Sequence, residues 1–133
     1  MAHNPKTAIL LRNAGLDAAL ALVNGGKLRI YDGTQPTDAD TALGAQNLLS
    51  TLLLNATAFA AASGGIATAN AIASDTNAAA TGTASWGSLL NSSNIRKLDF
   101  SVGTSGADLN FNSVAIQSGA TVAVTSATVT QGP

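Results

Sequence analysis

Cysteine and glutamate are both absent from this 133-residue chain, and histidine, tryptophan and tyrosine occur once each. Without cysteine there is no disulfide and no thiolate metal site, so stability must come from burying apolar surface or from association. With every acid an aspartate and the one histidine at His3, the usual general bases are missing. A Ser or Thr nucleophile would need an Asp or Lys brought to it by the fold, and the chain is read as a non-enzyme with no cofactor. Charge is scarce as well. Charged residues are 10% of the chain, against about 25% in an average globular protein. Six dispersed cations and a net charge of −1 exclude a phosphate-binding groove, and with it a nucleic-acid partner. The apolar stretch AILLRNAGLDAALALV does not read as a membrane span, because Arg12 and Asp17 interrupt it. The expectation is a soluble protein made without an export signal.

What remains for the surface is Ser, Thr, Asn, Gln, Gly and Ala. Charges are depleted from the centres of stable interfaces, so this composition leans toward life in an assembly. At this length the chain is expected to form a single domain, residues 1–133, that buries about two-thirds of its unfolded surface.

Asn4 before Pro5 reads as an N-cap with proline at the first helical position, which starts a helix over about 5–24. At about 100° per residue, Lys6, Asn13, Asp17 and Asn24 fall on one narrow stripe, and Leu, Ile, Val and Ala fill most of the rest. This predicts a mostly buried helix with a thin polar face. Gly25 and Gly26 supply the left-handed turn that ends it. After Gly26 the texture changes to short Leu, Ile, Val and Thr runs punctuated by Gly, Ser, Asn and Asp, the texture of an all-β sandwich or barrel. Strands are expected at 27–31, 47–54, 66–72, 81–87, 95–102, 109–116 and 120–130. In IRKLDFSV, Leu98, Phe100 and Val102 alternate with Lys97, Asp99 and Ser101. Val122 and Val124 share a parity that Val129 does not, so a bulge near Ser126 is expected. The Ala-rich middle keeps a period of two at Ile66, Thr68 and Ile72, which favours short edge strands, with turns at SGG 63–65 and SDTN 74–77.

Candidate sites each have an ordinary reading beside the sharp one. Asp108, Asn110 and Asn112 begin like a calcium loop, but Ser113 and Gly119 stand where the loop needs glycine and glutamate. A strand with Leu109 and Phe111 inward explains them, and no metal is expected. Asp38 and Asp40 read as turn residues that bond their own backbone. Trp86 is read as a core filler. Arg and Tyr often carry binding energy at interfaces, which makes Arg12, Arg29, Tyr31 and Arg96 the candidate contact residues. Arg96 and Lys97 are adjacent, so on a strand they point to opposite faces and only one of them can join a given interface.

The helix with its glycine stop, LRIYDGTQP and the closing VGTSGADLNFNSVAIQSGATVAVTSATVTQ together resemble a family of small structural proteins encoded by tailed bacteriophages. The likeness runs from LRNAGLDAALALVNGGKLRIYDGTQP through GGIATANAIASDTNAAATGTASW to the C-terminus. In that family these stretches recur as a leucine-rich helix, a strand ending in YDG, an Ala/Thr-rich middle closed by a Trp, and a GTSGADL turn. The resemblance implies a mainly β protein, a jelly roll or related antiparallel β-sandwich with one N-terminal α-helix. It implies a capsid decoration (cement) protein on the virion exterior, made in the host cytoplasm. Its partners would be the major capsid protein and further copies of itself, as a dimer or trimer. The alternative is a tail- or baseplate-associated β module that binds a neighbouring tail protein or a host glycan.

Overall fold

The computed structural model describes residues 8–130. One helix, α1 (Ile9–Ala21), precedes nine strands: β1 (Lys27–Tyr31), β2 (Leu48–Leu53), β3 (Ile66–Thr68), β4 (Gly82–Thr83), β5 (Trp86–Leu90), β6 (Arg96–Gly103), β7 (Leu109–Phe111), β8 (Ala115–Ile116) and β9 (Val124–Thr130). Seven strands form one sheet in the order β2, β1, β5, β6, β7, β9, β3, and β4 pairs with β8 apart from it. Neighbours are antiparallel except β6 with β7. The protein is therefore mainly β with one helix. Among the described residues no helix is long and apolar enough to cross a membrane.

β1 explains why the sheet forms where it does. Leu28 and Ile30 are completely buried on one face, while Lys27, Arg29 and Tyr31 take the other. With β2 on one side and β5 on the other, both edges of β1 are paired. Leu28, Ile30, Leu52, Leu89 and Phe100 share one core with Leu16 and Leu20 of α1 and with Leu109 and Phe111 of β7. Each such side chain contributes about 1.5–3 kcal/mol by leaving water.

Two expected strands are divided. The 81–87 run becomes β4 and the start of β5, because Ala84 N–H donates to Val114 O while Ser85 N–H donates to Tyr31 O. The chain leaves the small sheet and joins the large one between these residues. The 109–116 run divides likewise into β7 and β8. The expected bulge is present. Asn110 pairs with Ser126 but Phe111 pairs with Val124, which leaves Thr125 as the extra residue. The middle segment supplies β3, paired with β9 at the end of the sheet, and Gly64 and Gly65 turn the chain with positive φ.

The helix corrects its expectation. The predicted N-cap at Asn4 and Pro5 lies outside the described residues, but the expected burial does not hold: within α1 only Leu16 and Leu20 are buried. The polar stripe is turned toward the protein. Asn13 Oδ1 accepts from Gly65 N–H at 2.9 Å, Asp17 Oδ1 from Ala62 N–H at 2.7 Å and Asn24 Oδ1 from Ala58 N–H at 2.8 Å. The irregular segment 58–65 has backbone donors that need acceptors, and the helix supplies them. Leu10, Leu11 and Leu22 are consequently left 77%, 61% and 59% exposed. The helix ends earlier than expected, at Ala21 with Leu22 as its cap, and Gly25, left-handed at φ 66°, turns the chain after it toward β1. Gly26 has another role, since a Cβ there would stand 1.9 Å from Leu90 O.

Candidate functional site

Among the described residues, the face of β1 opposite the main core gathers aromatic and charged groups together. Tyr31 lies directly across from Trp86 on β5, and their rings stack at 4.5 Å with 14° between planes. Arg96 places its guanidinium carbon 5.6 Å from the centre of the Trp86 ring, within range of a cation–π attraction. The same guanidinium forms an ion pair with Asp99, whose side chain is 3% exposed. Arg96 reaches this face because of a bulge. Leu89 pairs with Leu98 but Leu90 pairs with Arg96, so Lys97 is an extra residue and Arg96 shifts to the side of Asp99.

Over this stack lies the segment 32–47. Its base is closed where Asn47 N–H and Nδ2 donate to Asp32 Oδ1 (2.6 Å) and Oδ2 (3.2 Å), and where Trp86 Nε1–H donates to Asp32 O at 3.1 Å. At its far end Arg96 donates to Thr41 O and to Asp38 O. Asp38 shapes that end as the turn residue expected of it, since its Oδ1 accepts from Asp40 N–H, Thr41 N–H and Thr41 Oγ1–H. The Asn47 backbone and amide hydrogens hold the Asp32 carboxyl below the usual range. The Thr41 hydroxyl, chiefly, does the same for Asp38.

The structure thus brings Arg29, Tyr31 and Arg96 to one face and leaves Arg12 on α1, away from them. Tyr31 is 3% exposed, its ring covered within this chain. Trp86 is fully buried, as a core filler should be, but beneath the strap and not among the main core residues. Arg29 is half-buried and forms one rung with Ser88 and Asp99. Its Nε and the Ser88 hydroxyl have no hydrogen-bond partner among the described residues, and neither has Arg12 Nε.

A second polar centre escaped the sequence reading. Asp75 Oδ2 accepts from Ser50 Oγ–H at 2.6 Å and Thr51 N–H at 3.2 Å, and its Oδ1 from Asn77 N–H at 3.0 Å. Its backbone exchanges two bonds with Val122, so one residue ties β2 to the stretch before β9. Partial burial raises the Asp75 carboxyl, and the three bonds together outweigh that and hold it below the ordinary value. The signal in the sequence was Asp before Asn at 75 and 77, which marks a turn but does not name its distant partner.

Asp108, Asn110 and Asn112 do not converge. Asn110 Nδ2 donates to Ala107 O and to Ser126 Oγ, Asp108 Oδ2 accepts from Ser101 Oγ–H, and Leu109 and Phe111 point inward. Chemically, the arrangement over β1 can clamp a loop to a sheet and present that loop's outer side, along with exposed leucines elsewhere, to another surface. The comparisons with protein-family models, curated proteins and solved structures yielded no match.

Proposed function

We propose that this chain is a structural protein of a tailed-bacteriophage virion, a capsid decoration or cement protein that binds the outside of the head and stabilises the mature shell. The reading rests on the resemblance of the sequence, and one structural observation carries it further. Leu10, Leu11, Leu22, Leu53 and Ile95 are each more than half exposed on a chain with very few charges. Of these, Leu10, Leu11 and Leu22 belong to the one short helix and its cap, and an apolar patch gathered on one element supports cover by another protein.

In this reading the partners are the major capsid protein and other copies of the chain, and the protein acts without catalysis, cofactor, nucleic acid or membrane. In finer detail the fold is a jelly roll or related β-sandwich. The passage of β6 from the β5 ladder to the β7 ladder supports a second layer. Arg12 and Arg29, each half-buried with an unpartnered Nε among the described residues, are the candidate cationic contacts. Binding one mature shell at many equivalent junctions lets modest interfaces resist internal pressure together, because a ligand that binds only the mature state stabilises it by mass action.

The test is to mix purified protein with expanded and with immature heads and to image the intact virion by electron microscopy. Binding to expanded heads, with density on the shell exterior, is the expected result. Binding to neither form sinks the cement reading, and density confined to the tail replaces it with the tail or baseplate module.

A further inference from the structure

The outward face of α1 is apolar along its whole length. Leu10, Leu11, Ala14, Gly15, Ala18 and Leu22 are all exposed, while Arg12, Asn13 and Asp17 lie toward the protein or on its flank. Along this face Leu11, Gly15, Ala18 and Leu22 follow one another at steps of four, three and four residues. Those steps keep the four on one seam of a helix. The series also reads the same in reverse, with a leucine at each end and two small residues between. We infer that this face pairs with the same face of a second copy of the chain, the two α1 helices running antiparallel about a two-fold axis.

That arrangement sets Leu11 of one copy against Leu22 of the other, and Gly15 against Ala18. An isologous contact requires this self-complementarity, and the palindromic seam provides it. Gly15 is independent support. It sits inside the helix without a positive φ, and a Cβ built on it meets nothing within 4 Å. Among the described residues nothing uses a glycine there, whereas a second helix crossing closely would.

Charge favours a like partner. The seam itself carries no charge for an oppositely charged protein to read, and among the described residues Arg12 is the one cation on α1, too few for the Lys- and Arg-rich polar face of helices that lie on membranes. Area sets the strength. A helix of 13 residues is about 20 Å long, and one crossing of that length falls short of the roughly 1,200–2,000 Å² of a stable interface. Beside the seam, a groove of about 370 Å³ between Ala19, Leu22, Leu98 and Val129, rimmed by Lys97, extends the apolar area a partner can cover. The dimer is accordingly concentration-dependent. Self-association belongs to the virion reading, and the inference adds where it occurs; shell binding and solution pairing are measured separately, so each can fail without the other.

Sedimentation equilibrium of the whole chain is expected to show a monomer–dimer equilibrium. Leu11→Asp and Gly15→Leu should each weaken it at least tenfold without loss of circular dichroism or thermal stability, because both positions are open in the monomer and leucine is the better helix former. Gln117→Asp, at an exposed position just after β8, should leave it unchanged. The absence of cysteine allows a clean test of geometry. When Gly15→Cys and Ala18→Cys chains are mixed and oxidised, the mixed 15-to-18 disulfide should exceed either like-with-like product several-fold. A chain monomeric at millimolar concentration, a trimer, a dimer indifferent to both α1 substitutions, or like-with-like cross-links in excess each overturns the inference.

Discussion

Arg96 performs three jobs with one planar group: it pairs with Asp99, lies over Trp86 and holds two carbonyls of the strap. Replacing it with alanine leaves the Asp99 carboxylate buried without its counter-charge, a loss of about 3 kcal/mol. Arg96→Ala should therefore lower the urea midpoint, red-shift the emission of the single tryptophan and speed proteolysis within 32–47. Arg96→Lys should recover little of this, since a point charge cannot reproduce a fork that serves a carboxylate and two carbonyls at once. Asp75 makes a prediction about acid. Its carboxyl is held below the ordinary value of 3.8, as are those of Asp32 and Asp38. The folded form thus binds these protons less readily than the unfolded chain does. Their stabilisation is complete above about pH 4 and disappears as pH falls through the native values. Urea melts at stepped pH should show the midpoint flat at neutral pH and falling below about 4, with a shallower fall in Asp75→Asn. Because Ser50 is fully buried, Asp75→Ala strands its hydroxyl at about 1–3 kcal/mol, and adding Ser50→Ala should restore part of the loss.

The elements divide into those whose partners are local and those whose partners are not. β1 occupies the residues its alternation predicts, and the bulge in β9 follows from the parity change between Val124 and Val129. The orientation of α1 was not legible, because a helix wheel assumes that polar residues seek water. Here Asn13, Asp17 and Asn24 found the backbone of 58–65, more than thirty residues away along the chain. Arg96 was legible as a strand residue but not as a clamp. Its face depends on the bulge at Lys97, and no alternation in IRKLDFSV announces it. The helix stripe is testable as a unit. Asn24→Ala removes the acceptor for the N–H of fully buried Ala58, which should cost about 1–3 kcal/mol. Hydrogen exchange should show the amides of Ala58, Ala62 and Gly65 losing protection together, while those of β1 keep theirs.

Across the whole molecule, scarce charge determines how any association responds to conditions. With 10% charged residues and a net charge of −1, little of the binding free energy can come from long-range attraction. Raising salt from 0.1 to 0.5 M shortens the screening length from about 10 Å to under half that, yet affinity for the shell or for a second copy should change less than threefold. A tenfold loss in the same titration would mean that Arg12, Arg29 and their like carry the contact instead of the apolar faces. The position of β1 has a mechanical consequence. α1 leads through Gly25 and Gly26 directly into a strand bonded on both sides, so a pull on the helix along β1 loads its two ladders in shear. Rungs loaded in shear give way together, where those at a peeled edge give way one at a time. A chain held by its helix would thus pass tension into the middle of its sheet, where the molecule resists stretching best.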